Sequence, residues 1–232
     1  MKNYKYIFFA SLMLTFTFAR ANSVEPISTN QCLEIQKKYE YYLTPEGEGA
    51  LNNSISGGVT PKNIIYDLLP NIIDGCPGVY GLKIFASNFY TMVGNYDLGL
   101  QFAIKAVADA PRELNTRKNL ASKYALNNKT NEAIHEMRFT LSLFPNEESL
   151  LIGLCSTLEF VKNYREAIVE CDNYINKGFK MRLGLAHFVI GRSYEMLNMP
   201  IKSKQSYMIS QKYGYDPKYY YGDAHYGRNM KK

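Results

Sequence analysis

The sequence predicts an all-α protein, built as a solenoid of antiparallel helix hairpins. Apolar residues recur at three- and four-residue steps, and similar segments recur every 34 residues between about 80 and 217. Two positions of this repeat hold only small side chains. The chain has 232 residues, of which 46% are hydrophobic, so it carries enough apolar material for a core. Its 21% of charged residues is too few for a disordered polyelectrolyte.

The first 21 residues have the pattern of a signal peptide. Lys2 and Lys5 precede an apolar stretch over 6–19, and the small residues Ala19 and Ala21 flank a cleavage position. The stretch is shorter than the about 20 residues that span a bilayer, and a buried N-terminal helix is the alternative. We therefore expect an exported protein, periplasmic or extracellular. Its mature chain would begin near Asn22, with no stable membrane insertion after cleavage.

The charge of the mature chain argues against a nucleic-acid partner. Cleavage would remove Lys2, Lys5 and Arg20 and lower the formal net charge from +6 to +3. A charge this small over about 210 residues gives little attraction to phosphate backbones. The predicted partner is therefore another protein or a peptide. The sequence leaves the oligomeric state open.

Residues 22–79 are predicted to form an N-terminal helical cap. An amphipathic helix is expected over 28–43, followed by a glycine-rich loop over 45–58. Thr60 and Pro61 then start a second helix, expected to end near Leu69 because Pro70 follows. A stack of helical hairpins leaves an apolar face at its end, and this segment would cover it.

The repeats align when the four units are numbered from Tyr80, Leu114, Glu148 and Gly184, with two extra residues before the fourth unit. The eighth positions are then small, as are the twentieth: Ser87, Ala121, Cys155, Gly191, and Gly99, Ala133, Ala167, Ser203. Such residues suit the closest approach of two antiparallel helices, where a larger side chain would push the backbones apart. The eleventh positions are large and fill the adjoining groove: Tyr90, Tyr124, Leu158, Tyr194.

This pattern resembles the tetratricopeptide repeat (TPR) family over residues 80–217. The resemblance implies a right-handed solenoid of about four repeats, with a concave surface that holds a peptide. The fourth unit, with Pro200 in its turn, is also similar to a Sel1-like repeat, which has longer turns. The aromatic residue usual at the fourth position is absent from all four units. An ordinary four-helix bundle is the structural alternative, but it would need no 34-residue register.

The resemblance also implies which residues line the peptide groove. The groove residues are Asn88, Met92, Lys118, Asn119, Ser122, Ile152, Phe188 and Arg192. Asn88 and Asn119 occupy positions where clamp-type TPRs hydrogen-bond a peptide backbone. The clamp's cations are replaced by Ile84, Ser149 and Gly153, so an apolar peptide is expected rather than a free C-terminal carboxylate. The alternative is that these are ordinary solvent-facing residues.

Four cysteines in an exported chain suggest disulfides. Cys32 and Cys76 flank the N-terminal segment, and we expect them to pair. Cys155 and Cys171 are expected on facing helices of one hairpin, offset along the helix axes by nearly one helical turn. A diagonal bridge is one alternative, and two buried reduced thiols are the other.

No pattern of catalytic residues stands out. His135, His187 and His225 do not pair with a nucleophile or an acid at a recognised spacing, and no Cys/His cluster has metal-site spacing. We therefore expect a protein that is not an enzyme and that uses no cofactor and no metal.

Residues 218–232 form a basic, tyrosine-rich tail, after a last helix expected to end near Tyr213. Its tyrosines could cover the end of the array or form an arm that touches another molecule. The function expected first, by family analogy, is a non-catalytic adaptor of the cell envelope or secreted space, in an assembly, secretion or pilus complex. The alternative is a secreted factor that binds a surface or host molecule through this tail.

Overall fold

The computed structural model describes residues 28–42, 44 and 61–215, and these residues are all-α. Ten helices follow one another with no strand among the described residues. The first two are α1 (Thr29–Tyr42) and α2 (Pro61–Gly75). The repeats supply α3 (Tyr80–Met92), α4 (Tyr96–Asp109), α5 (Leu114–Leu126), α6 (Thr130–Leu143), α7 (Glu148–Phe160), α8 (Tyr164–Asn176), α9 (Leu183–Met196) and α10 (Pro200–Lys212). We call α3, α5, α7 and α9 the A helices and the other four repeat helices the B helices.

The second helix is longer than the sequence indicated. Pro70 lies inside α2, which continues to Gly75, so the expected end at Leu69 is wrong. A proline inside a helix costs about 3 kcal/mol, because it removes one hydrogen bond and crowds the preceding turn. The buried side chains of Leu69, Ile72 and Ile73 contribute about 1.5–3 kcal/mol each, which outweighs that cost.

The turn between the A and B helix has the same form in all four units. Its fifteenth position has a positive φ in each: Gly94 88°, Asn128 58°, Lys162 64° and Asn198 61°. The next backbone N–H donates to the carbonyl of the eleventh position, as from Asn95 to Tyr90 at 2.8 Å and from Met199 to Tyr194 at 2.9 Å. Because Pro200 is the first residue of α10, the fourth turn is as short as the others. The longer turn of a Sel1-like unit is not present.

The chain divides into two compact units, one up to Phe85 and one from Ala86 onward. In the first unit a disulfide joins Cys32 of α1 to Cys76, directly after α2, with Cα atoms 5.8 Å apart. Both cysteines are buried. That this segment caps the array stays a prediction.

The compact unit from Ala86 onward is a helical-repeat solenoid, in which the small residues of each repeat let the helices pack closely. The eighth and twentieth positions are buried in every unit. The approach is close enough to exclude larger residues, since a Cβ at Gly191 would lie 2.7 Å from the Tyr207 ring. Within the third unit, Cys155 of α7 and Cys171 of α8 form a disulfide with Cα atoms 5.2 Å apart. The diagonal pair therefore lies within bridging distance, and neither thiol is free.

The C-terminal residues that the structure describes fold back onto α9. Helix α10 ends at Lys212, and Gly214 takes a positive φ of 75°. Tyr213 stacks on His187, and Tyr215 lies against Phe188 with ring centroids 5.2 Å apart. The predicted signal peptide, the loop over 45–58 and the tail over 218–232 with His225 lie outside the described residues.

Candidate protein-binding surface

The predicted groove residues all belong to A helices, but they differ in exposure. We call the side of the A helices that carries them the A-helix face. Asn88, Met92 and Ser122 are exposed, while Lys118 and Arg192 are half-buried. The other three, Asn119, Ile152 and Phe188, are buried.

The side chains of Ile152 and Phe188 belong to the core rather than to an accessible surface, so assigning them to the groove needs correction. Ile152 is part of the main apolar cluster of the compact unit from Ala86 onward. Phe188 is covered by the rings of Tyr207 and Tyr215. Both residues occupy the fifth position of their repeat, and side chains from other segments bury them. The sequence did not show which segments would pack there.

Asn88 of α3 and Asn119 of α5 each take part in a hydrogen bond between these two helices. The Lys123 ammonium donates to Asn88 Oδ1 at 2.9 Å. The Ser87 hydroxyl donates to Asn119 Oδ1 at 3.2 Å. The Asn119 Nδ2 is buried and has no hydrogen-bond partner. We call Asn88, Asn119 and Lys123 the donor cluster, because the capacity left over is that of N–H donors.

Lys123 is the member that the sequence analysis missed. Its residue is only 5% exposed, and no carboxylate pairs with it in the described part of the chain. Burial lowers the pKa of Lys123 from 10.5 to about 8, because an ammonium loses hydration inside the protein. One signal was available, since Lys123 follows Asn119 by four residues and so shares its helix face.

The two cations predicted for the groove are already paired with acids. Lys118 lies 2.5 Å from Glu147, which precedes α7, and this contact helps to hold the pKa of Glu147 low. Arg192 of α9 lies 3.1 Å from Glu159 of α7. Burial raises the pKa of Glu159, and the nearby Arg192 charge opposes that rise. The first pair links α5 to the residue that precedes α7, and the second links α9 to α7, so these cations hold helices together rather than remaining free for a partner.

A row of large apolar residues lies exposed at the thirteenth position of all four units. We call it the apolar row: Met92 is 52% exposed, Leu126 37%, Phe160 46% and Met196 55%. These residues end the A helices, next to the turns. Single exposed apolar residues are ordinary, but exposure of an apolar residue at the same position of every unit is a repeated feature of the A helices.

Arrangements suited to catalysis or metal binding do not appear among the described residues. No group of three His, Cys, Asp or Glu side chains there could hold a metal ion. His187 and Asp172 influence each other: burial lowers the pKa of His187, and the Asp172 charge opposes this. The neighbouring Cys171 is bridged and cannot serve as a nucleophile. Among the helices that the structure describes, none is long and apolar enough to cross a membrane.

Comparison with known proteins identifies the fold and nothing finer. No family model matches the sequence, and no curated protein matches it. Solved structures of MamA, a TPR-like helical-repeat protein, do match. "Crystal structure of MamA protein" has a TM-score of 0.62 at 13% identity, covering 80% of this chain and 91% of that one. "MamA MSR-1 C2" has a TM-score of 0.57 at 15% identity, covering 87% and 97%. "Crystal structure of MamA" has a TM-score of 0.58 at 12% identity, covering 67% and 95%. At these identities the likeness concerns the fold alone, and the chain has a TPR-like helical-repeat fold.

Proposed function

We propose that this protein is a non-catalytic scaffold that binds a partner protein or peptide on its A-helix face. The apolar row is the observation that carries the proposal. Folding does not require an exposed, large apolar side chain at the end of each of the four A helices. Burying such a row against a partner would gain about 25 cal/mol for each Å² of apolar surface.

The donor cluster gives the same surface polar specificity. A protein-binding surface combines apolar anchors, which supply most of the affinity, with a few placed polar groups that fix register. The apolar row and the donor cluster both lie on A helices, and they meet this description. The MamA structures, which have the same TPR-like fold, support the scaffold architecture.

The scaffold would act in an oxidising compartment. Two disulfides and the features of a signal peptide support export to the periplasm or the outside of the cell. An assembly, secretion or pilus complex of the cell envelope would use such a scaffold.

Partner capture by surface variants tests this function. The exported protein, immobilised and exposed to an extract of its own organism, should capture a defined partner identified by mass spectrometry. Met92→Ser with Phe160→Ser should reduce that capture at least tenfold, because two anchors are lost. Val169→Ser is the matched control, since Val169 is a more exposed apolar residue (63%) on the B helix α8. Equal losses in both variants would contradict the proposal.

The alternative, binding through the tail, has one observation in its favour. Between Glu195 and Asp216 the chain has three lysines and no acidic residue, so the array ends in a basic region that leads into the tail. Deleting 218–232 separates the two functions. A partner lost on that deletion, but kept by the Met92 and Phe160 variant, would favour the tail.

A further inference from the structure

We propose that the outward face of α10 binds the surface of an anionic membrane. This face is formed by Ile201, Lys204, Met208 and Lys212, and we call it the terminal stripe. The inference goes beyond the proposed function, because the terminal stripe lies on a B helix whereas the partner protein is assigned to the A-helix face. The contact is peripheral, with no helix inserted across the bilayer.

The distribution of side chains in α10 is the reverse of that in the other B helices. Its buried residues are the serines Ser203, Ser206 and Ser210. The Ser210 hydroxyl donates to the Gly184 carbonyl oxygen at 2.8 Å, so a short polar side chain joins α10 to α9. Every other B helix buries large apolar side chains on the face that it turns to the array. The packing of α10 therefore leaves its large aliphatic side chains on the outside.

The exposed aliphatic residues of α10 share one side of the helix with lysines. Ile201 is 76% exposed and Met208 is 60% exposed. They lie seven residues apart, which is about two helical turns, so their side chains project from the same side. Lys204 follows Ile201 by three residues, Lys212 follows Met208 by four, and both lysines are exposed. The terminal stripe therefore alternates apolar and cationic side chains along one line of the helix.

The segment that contains the terminal stripe carries only positive charge. No acidic residue lies between Glu195 and Asp216, whereas each of the other B helices contains at least two acids. Glu195 itself accepts from the Tyr207 hydroxyl at 2.6 Å. Among the described residues, no acid forms an ion pair with Lys204 or Lys212. Both ammonium groups therefore remain available to anions outside the chain.

An anionic lipid surface matches this combination of side chains. Its headgroups attract lysines, and the acyl boundary beneath them accepts the apolar side chains that lie between those lysines. A soluble polyanion would satisfy the lysines but leave Ile201 and Met208 in water. Only one face of α10 is needed for this contact, so the helix can stay packed on α9 through its serines.

Vesicle binding by the exported protein tests the inference. One set of vesicles contains phosphatidylglycerol and phosphatidylcholine in equal parts, and the other contains phosphatidylcholine alone. At about 0.1 M salt we expect the protein to bind the anionic vesicles at least tenfold more tightly than the neutral ones, as measured by cosedimentation. Equal binding to both sets, or binding to neither, would overturn the inference.

An apolar double variant separates membrane contact from simple charge attraction. Ile201→Ser with Met208→Ser should weaken binding to the anionic vesicles about tenfold, because these side chains no longer enter the lipid. Ile104→Ser with Val169→Ser is the matched control: both are exposed apolar residues of other B helices, and the variant should bind as the wild type does. Full binding by the Ile201 and Met208 variant would instead indicate a soluble polyanion as the ligand. Equal losses in the two variants would also contradict the inference.

A charge double variant tests the two lysines. Lys204→Gln with Lys212→Gln should weaken binding to the anionic vesicles at least tenfold. Lys129→Gln with Lys180→Gln makes the same change in net charge at exposed lysines outside α10 and should weaken it by less than about threefold. Equal losses would assign the binding to net charge rather than to the terminal stripe, against the inference.

Two other occupants of the terminal stripe are outcomes of the same experiments. Deleting residues 218–232 should leave the dependence of vesicle binding on Ile201 and Met208 intact, and loss of that dependence would assign the contact to the tail. Sedimentation equilibrium detects a second copy of the chain. Dimers that depend on Ile201 and Met208, without vesicle binding, would replace the membrane by that second copy and refute the inference.

Discussion

At the scale of single residues, the most informative side chain is Lys123, because its burial makes stability depend on pH. Its pKa is about 8 in the folded protein and about 10.5 when exposed. Between these values the unfolded chain binds more protons, so the free energy of unfolding rises as pH increases. Urea unfolding between pH 7.5 and 9.5, where most tyrosine side chains remain protonated, should show this rise.

Lys123→Met is the control for that titration. The variant should be more stable than the wild type at pH 7, since no buried charge remains, and its free energy of unfolding should be flatter between pH 7.5 and 9.5. A rise of the same size in the variant would assign the pH dependence to another group.

Asn88 is coupled to Lys123, and this changes what its substitution measures. Asn88→Ala takes away the amide oxygen that solvates the buried ammonium, so we expect a loss of about 1–3 kcal/mol in the free energy of unfolding. In the Lys123→Met background the same substitution should cost less than about 0.5 kcal/mol, as for a surface residue. A double-mutant cycle by chemical denaturation measures the difference. Additive costs would show that the 2.9 Å contact contributes nothing.

At the scale of the helices, two glycines allow the effect of close packing on stability to be measured separately from that of helix propensity. A Cβ at Gly99 of α4 would lie 2.5 Å from the Thr91 hydroxyl and 3.0 Å from the Ser87 carbonyl oxygen of α3. A Cβ at Gly153 of α7 would meet only Met137, at 3.9 Å. Glycine inside a helix costs about 1 kcal/mol relative to alanine, so the surroundings decide the sign.

We expect Gly153→Ala to raise the free energy of unfolding by about 0.5–1 kcal/mol. Gly99→Ala should lower it by about 1–2 kcal/mol, because the overpacking penalty exceeds the propensity gain. Thermal and urea unfolding of the pair measure both signs. Two stabilised variants would show that α3 and α4 separate easily.

The backbone of Lys162 is in a strained, left-handed conformation, which glycine or asparagine adopts more easily in the other three turns. It has a φ of 64° at a position where the other units have glycine or asparagine. A side chain with a Cβ pays about 1–2 kcal/mol in this conformation, and asparagine tolerates it better. Lys162→Asn should therefore raise the free energy of unfolding by about 0.5–1 kcal/mol. Lys162→Ala keeps the Cβ and should bring no gain, so equal stabilisation by both would contradict the explanation.

At the scale of the whole molecule, the two disulfides should contribute unequally, because they close loops of different length. Cys32–Cys76 spans 44 residues and Cys155–Cys171 spans 16. Restriction of the unfolded chain is worth about 4 kcal/mol for the longer loop and about 3 kcal/mol for the shorter. Hydrogen exchange on the double alanine variants should show the first loss in the unit up to Phe85 and the second in the following unit. Losses spread evenly over both units would indicate that the chain unfolds as one cooperative body.

The sequence by itself determined the helical repeat. The small residues that recur in each repeat, the glycine or asparagine in most of the turns and the three- and four-residue apolar spacing act locally, within one hairpin. The register of the repeat and its eighth, eleventh and twentieth positions could therefore be read from the residues alone. The helix was expected to stop before Pro70 because proline disfavours the interior of a helix. The burial of Leu69, Ile72 and Ile73 outweighs this local preference.

Only the tertiary structure decided which side chains of the A-helix face remain accessible. Ile152 and Phe188 share a repeat position with the half-buried Ile84 and Lys118, yet neighbouring elements bury them. Lys118 and Arg192 look free in the sequence, yet acids at or next to α7 pair with them. Lys123 looks like an ordinary surface lysine, and it becomes a buried charge only when α3 and α5 meet. Burial and charge pairing are properties of several segments brought together, so no single segment of the sequence contains them.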